Sequence, residues 1–312
     1  MLLFFGVRIE SPEMSTKDNI IKGMMAGLGA FFMLAMMNVF AKMLSDTHHV
    51  IEIAFYRNLI ATLPFLIIIF VMGKREIMKI NQRPIGVVAR AVIGTLSLIT
   101  TFAAFAAMPM ADTTAFLFTA SLLIPILGVL FLGERVGIYR WSAVAIGFVG
   151  VLIMLNPTGN INVVGVTLAL SAAAMHAVLQ TILRYLGKTE KPETITFYFV
   201  AIGTIIAAIP LPWVASLPAL SEVPLFLGVG LTGLMAQYLL SIAFGNAPAA
   251  VVTIFNYSGI IWATIFGWII WSDWPTLAIG VGGAIVIASN IFMVWRESRI
   301  GKVTGDRVRA KL

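Results

Sequence analysis

Stretches of about 20 mostly apolar residues, each long enough to cross roughly 30 Å of hydrocarbon as a helix, recur along this chain with only short breaks between them. They fall near 20–44, 52–73, 84–107, 110–132, 139–156, 162–186, 194–216, 223–246, 249–271 and 275–296. Lipid offers no hydrogen bonds, so such segments span as helices that satisfy their own backbones. Composition agrees: 60% of the residues are hydrophobic, 11% are charged and mean hydropathy is +0.98. A soluble domain of 312 residues needs far more surface charge. The links carry turn chemistry, as in MPMAD at 108–112, NPTGNIN at 156–162 and NAPA at 246–249. None is long enough for an extramembrane domain. The expected class is an all-α membrane protein with ten transmembrane helices.

Short loops rich in lysine and arginine stay on the cytoplasmic side. With the N-terminus inside, every one of the 21 lysines and arginines except Lys42 and Arg57 falls on an inner segment. Trp213, Trp271 and Trp274 then lie at outer ends and Trp141 and Trp295 at inner ends, as indoles at the two headgroup belts should. Both termini are expected in the cytoplasm, with the chain in a bacterial inner (plasma) membrane. Residues 1–19 form a cytoplasmic N-terminal segment, with Met14 a candidate start, and 297–312 a basic cytoplasmic tail. The net charge of +7 is explained by this distribution, and no nucleic-acid partner is expected.

The second half repeats the first. One constant shift carries Gly23, Ala30, Met33, Asn38, Lys42 and Leu44 onto Gly165, Ala172, Met175, Gln180, Arg184 and Leu186, and Phe55, Tyr56 and Thr62 onto Phe197, Tyr198 and Thr204. A slightly smaller shift carries Gly94, Phe105, Pro109, Gly128 and Glu134 onto Gly233, Phe244, Pro248, Gly267 and Asp273. The expected units are 20–156 and 162–296, each of five helices. Five is odd, so the second unit enters the membrane in the opposite sense. Two inverted five-helix repeats of this kind are associated with transporters whose site lies at the repeat interface near the midplane.

The residues also carry a family likeness. EIAFYRN at 52–58, MPMADTTAFLFTASLLIPILGVLFLGERVGIYRW at 108–141 and GFVGVLIMLNP at 147–157 resemble the EamA branch of the drug/metabolite transporter superfamily. The resemblance covers roughly 20–296 and includes the pair Gly133-Glu134, which reads Ser272-Asp273 in the second repeat. It implies ten helices, both termini inside, and a central cavity formed mainly by spans one to four and six to nine. EIAFYRN looks most like members that take up S-adenosylmethionine, while other members export amino acids or import vitamins. A fold analogy does not choose among these substrates.

Arg57 stands out, five residues past Glu52 in an otherwise apolar span. Two roles stay open for it: binding a carboxylate or phosphate of the substrate, or pairing with Asp46, Asp112 or Asp273 as a gate or structural clamp. Glu134 is expected to anchor the inner end of the fourth span. A second group of candidate substrate contacts is Asn38, Tyr56, His176, Gln180, Gln237, Tyr238, Ser241, Asn256 and Tyr257. Singly, each could equally form an interhelical hydrogen bond. Phe102, Phe105, Phe118, Phe255 and Trp262 are candidate stacking partners. Ala143 and Gly147, with Gly280, Ala284 and Ala288, give small residues every four positions in spans five and ten, allowing close pairing within one molecule or between two. Monomer and homodimer both stay open.

Catalysis at membrane depth needs a nucleophile with a base, paired carboxylates or a metal cluster. The chain has no cysteine and no Gly-x-Ser-x-Gly or His-Glu-x-x-His motif, so no enzyme, metal or cofactor is expected. No Asp or Glu occupies the middle of a span, which makes facilitated diffusion or exchange the default over a buried proton relay. The expected function is a secondary transporter moving a small polar or zwitterionic metabolite, amino-acid-like or S-adenosylmethionine-like, by alternating access. A vitamin- or drug-type exporter of the same fold, a channel and an intramembrane enzyme are the alternatives.

Overall fold

The computed structural model describes residues 17–123, 126–127, 138–155, 162–186, 189–246, 255–289, 291–292 and 295. The described residues are helical nearly throughout: α1 Lys17–Leu44, α2 Val50–Leu66, α3 Pro84–Ala107, α4 Met110–Leu117, α5 Ile138–Leu155, α6 Val163–Leu186, α7 Pro192–Ala208, α8 Val223–Asn246, α9 Ser258–Trp271 and α10 Leu277–Ser289. Among them five stretches are long and apolar enough to cross a membrane: Ile21–Leu44, Val50–Val71, Pro84–Ala107, Val163–Leu183 and Val223–Leu240. The remaining five helices are apolar but shorter.

Local chemistry sets most boundaries. His49 caps α2 by accepting the Ile51 N–H at 3.3 Å on Nδ1, and Pro84 and Pro192 occupy first-turn positions of α3 and α7, where a missing N–H costs nothing. Pro64 sits inside α2, and one turn later the helix widens into a π turn over Ile67–Val71. The chain then reverses at Gly73, whose φ of +71° suits a residue without Cβ. The seventh apolar run, expected to reach residue 216, ends as a helix at Ala208, because Pro210 and Pro212 cannot donate; a one-turn helix, Leu211–Val214, follows. The fourth is interrupted by a turn at Phe118-Thr119.

Packing between the halves comes in matched sets. α1 lies along α8 and α3 along α6; α2 touches α8 and α3 touches α7; α1 touches α9 and α4 touches α6; α2 meets α7, and α4 meets α9. Large apolar side chains such as Phe70, Ile85, Leu96, Phe148, Leu152, Ile205 and Leu277 point outward, as lipid-facing surface does. The chain is an integral membrane protein.

The small residues of the fifth and tenth runs meet inside one molecule. A Cβ on Gly150 would stand 2.7 Å from the Gly282 carbonyl oxygen, and one on Gly282 would collide with the Gly150 carbonyl and Met154. The two backbones therefore cross in direct contact, whereas a Cβ on Gly280 meets open space. Gly282→Ala is expected to cost about 1–3 kcal/mol by overpacking and to lower the melting temperature in detergent. Gly280→Ala should not; equal effects of the two substitutions would contradict the close crossing.

Candidate functional site

The helix α2 places Arg57 and Asn58 on a face turned toward α7 and α8. Arg57 is 1% exposed and Asn58 fully buried, and Arg57 Nη1 donates to Asn58 Oδ1 at 2.8 Å. The Arg57 guanidinium carbon lies 5.3 Å from the centre of the Phe199 ring on α7. A second arginine joins it there. Arg90 of α3 is 7% exposed and its guanidinium carbon lies 4.1 Å from the same ring centre.

Two glycines make the room. A Cβ on Gly233 of α8 would fall 2.8 Å from Arg57 Nε and 2.9 Å from Met37 Sδ, and one on Gly94 of α3 would fall 2.9 Å from both Arg90 Nη1 and a Phe199 ring carbon. These are the glycines that the repeat aligns with each other. The floor is polar and tightly packed: a Cβ on Gly203 would meet Asn58 Nδ2 at 2.6 Å and Thr95 Oγ1 at 2.7 Å, and Thr62 and Thr204 approach to 3.4 Å.

The electrostatics of this group do not close. Among the described residues no carboxylate pairs with Arg57 or Arg90, and Arg57 Nε, Arg90 Nε, Arg90 Nη1 and Asn58 Nδ2 have no hydrogen-bond partner. A buried ion without a partner costs several kcal/mol, roughly 3–5 when a pair is broken. A desolvated cation–π contact returns only about 2 kcal/mol, and a ring face accepts no conventional hydrogen bond. The two guanidinium groups also lie within electrostatic reach of each other, which adds repulsion.

The carboxylates expected near Arg57 gather instead around Lys42, at the end of the bundle that carries the α1–α2 turn. Lys42 Nζ donates to the Met108 carbonyl at 2.8 Å, stands 3.9 Å from Asp273 Oδ2 and 5.1 Å from the centre of the Trp271 ring, and feels Asp46 and Asp112. Ser272 positions Asp273 by closing α9 in the left-handed region at φ 58°, with the Asp273 N–H donating back to the Gly267 carbonyl at 3.1 Å. The pairing with Asp273 that was one of two roles open to Arg57 is made here by Lys42.

Of the other expected contacts, Asn38 is half-buried with Oδ1 unpaired, and His176 reaches Thr101 at 3.5 Å between α6 and α3. Tyr56 packs on Phe226 at 4.6 Å, and Tyr257 packs on Phe118 at 5.4 Å. Gln237 and Asn256 are half-buried, while Gln180 is exposed and Tyr238 is 62% exposed. Glu134 and the Ser241 side chain lie outside the described residues. The structure therefore brings Arg57 together with Arg90, Asn58, Thr95 and Phe199, none of which the sequence singled out. Arg90 had a readable signal: Pro84 starts α3, which puts Arg90 six residues, about 9 Å, into the helix.

With the geometry in place, comparison with known proteins decides the family. The EamA-like transporter family matches residues 21–156 and again 163–295. The chain belongs to the EamA-like transporter family. A pseudopaline exporter of Pseudomonas aeruginosa (strain UCBPP-PA14) is 29% identical over 277 residues, covering 88% of this chain and 96% of the relative. A riboflavin transporter of Rhizobium johnstonii is 31% identical over 211 residues, 67% of this chain and 70% of the relative. An S-adenosylmethionine uptake transporter of Rickettsia bellii is 25% identical over 290 residues, 90% and 98% of the two chains. A solved crystal structure with 17% identity superposes with a TM-score of 0.61 over 88% of this chain and 96% of that one, a likeness of fold. As a member of this family the chain is a transporter, not an enzyme.

The same end of the bundle carries a titrating knot. His48 Nε2 lies 2.9 Å from Glu222 Oε2, and His48 Nδ1 lies 3.1 Å from Glu52 Oε2 and 2.9 Å from Ser216 Oγ. Burial pulls the His48 pKa down, but hydrogen bonds to Glu222 and Glu52 outweigh it and raise it above the ordinary 6.5. Glu222 is held low by its bonds to His48, the Ala219 N–H and Thr47. Because His48 is raised, its contribution to stability is complete below pH 6.5 and is lost as pH rises through the higher folded value. The melting temperature of the native protein is expected to fall over that window relative to His48→Gln; parallel curves would contradict the assignment.

Proposed function

We propose that this chain is a ten-helix alternating-access carrier for a small polar or zwitterionic, amino-acid-like metabolite, built from inverted repeats over 20–156 and 162–296 in a bacterial inner membrane with both termini cytoplasmic. The observation that carries this reading is that residues touch their own repeat counterparts. Thr62 meets Thr204, 142 positions on. The same shift takes Arg57 onto Phe199, the ring its guanidinium stands over.

In two bodies related by a two-fold, only residues beside the axis contact their own mates. For an inverted pair the axis lies in the membrane plane, so Arg57 sits near the midplane, where substrate sites of such carriers lie. Two further facts support the reading. Helix contacts across the halves occur in exchanged sets, α1–α8 with α3–α6 and α1–α9 with α4–α6. The family match also falls twice, over 21–156 and 163–295. In this frame the Lys42–Asp273 contact joins the first repeat to the second on the outer side and serves as a closed outer gate.

In this reading Asn38, His176, Gln237 and Asn256 serve as secondary substrate contacts. Relatives named for pseudopaline export, riboflavin transport and S-adenosylmethionine uptake support a small polar cargo without fixing which. Counterflow in proteoliposomes tests the proposal, using labelled S-adenosylmethionine and a panel of amino acids. At least one amino-acid-like compound is expected to exchange saturably. Arg57→Ala should raise its half-saturation about tenfold or more, the equivalent of one charge-assisted hydrogen bond of roughly 1.5–3 kcal/mol. Conductance without counterflow would contradict a carrier, and silence across the panel would contradict the substrate class.

A further inference from the structure

We infer that Arg57 and Arg90 together form a two-anion subsite, so the compound this protein binds carries two carboxylates, as a dicarboxylic amino acid or short-chain diacid does. The inference deepens the transport reading and takes its functional meaning from it, while the binding site itself rests on the geometry alone.

Supply and demand at the site are unequal. Arg57 Nε, Arg90 Nε and Nη1, and Asn58 Nδ2 are buried donors without acceptors. The one side-chain acceptor among them, Asn58 Oδ1, is already taken by Arg57 Nη1. A ligand that only accepts fits such a set, and a carboxylate is acceptor-only with two oxygens matched to the guanidinium fork. The charge count sets the number. Two guanidinium groups stand over one Phe199 ring, at 5.3 and 4.1 Å, and no described carboxylate neutralises either. A monocarboxylate would leave one buried cation unpaired; a second anionic group completes both.

The positions are built rather than incidental. Gly94 and Gly233 recess the helix surfaces beside Arg90 and Arg57, since a Cβ at either would stand within 3.0 Å of a guanidinium nitrogen. Asp112, Asp273, Glu52, Glu190 and Glu222 all belong to knots at the two ends of the bundle, away from the pair. The same field opposes a ligand of net positive charge. A sulfonium-bearing amino acid such as S-adenosylmethionine is thereby disfavoured against a diacid.

The test uses the full chain in nanodiscs of phosphatidylcholine, whose zwitterionic headgroups supply no net anionic competitor. Thermal unfolding and calorimetric titration are run with L-glutamate and L-glutamine, which differ by one carboxylate, at constant ionic strength. L-glutamate is expected to raise the melting temperature and to bind at least about tenfold more tightly than L-glutamine. Arg90→Gln should erase that difference, and Arg90→Lys, which keeps the charge and loses the fork, should retain part of it. Equal response to the two amino acids overturns the inference, as does an Arg90→Gln or Arg90→Lys protein that folds and discriminates as well as the native one. Counterflow separates the two readings. If amino acids exchange without preference for the diacid, transport stands and the two-anion subsite falls; if L-glutamate binds but nothing exchanges, the subsite stands and transport falls.

Discussion

Hydrocarbon solvates neither charge nor hydrogen-bonding group, and most of this structure follows from that constraint. Every polar side chain has to reach a headgroup region, find a partner inside the bundle, or remain unsatisfied at considerable cost. Most of this chain's ionic groups take the first two routes. Lys42 and Asp273 meet at one end with His48, Glu52 and Glu222. At the other end Glu190 accepts the N–H groups of Asn81, Gln82 and Arg83 at 2.8–2.9 Å, and Glu76 pairs with Lys191 at 3.0 Å. Arg57, with one hydrogen bond to Asn58, and Arg90 have no carboxylate partner among the described residues, and both stand over Phe199. That imbalance is the observation on which the proposed anion subsite rests.

The end knots and the central pair divide the work. The knots tie loops and helix ends of one half to those of the other, as in the Lys42 contact to Asp273 and the His48 contact to Glu222. Of these contacts the exposed Glu76–Lys191 pair is the weak one, screened by salt, while His48, Glu52 and Glu190 are buried in theirs. The close crossing of α5 with α10 through Gly150 and Gly282 is of a different kind, a backbone-to-backbone contact between the two halves.

Much of this was legible in the sequence. The apolar runs gave the helices, and Pro84, Pro192 and Gly73 marked starts and turns by ordinary backbone rules. Arg57 was conspicuous because it interrupts an apolar span. Its partners were not, for physical reasons. Arg90 sits where a loop-side arginine is expected by charge counting, and only the α3 start at Pro84 shows that it lies inside the helix. Phe199 is one of 21 phenylalanines, and nothing local marks it as the ring beneath two cations. The assignment of Asp112 and Asp273 to Lys42 instead of Arg57 depends on helix rotation, which sequence separation does not encode. The seventh helix ended early because two prolines outweighed the apolar run.

The central claim is that the seam beside Arg57 opens alternately to the two sides of the membrane. The chain contains no cysteine, so a single Met37→Cys substitution, on α1 against Gly233 and Arg57, gives an unambiguous label site. The decisive measurement is labelling of that cysteine by a membrane-impermeant maleimide applied from one side and then the other of oriented vesicles. The account predicts modification from each side, slowed in both cases by the transported compound. Labelling from one side alone, or labelling that the transported compound leaves unchanged, would contradict it.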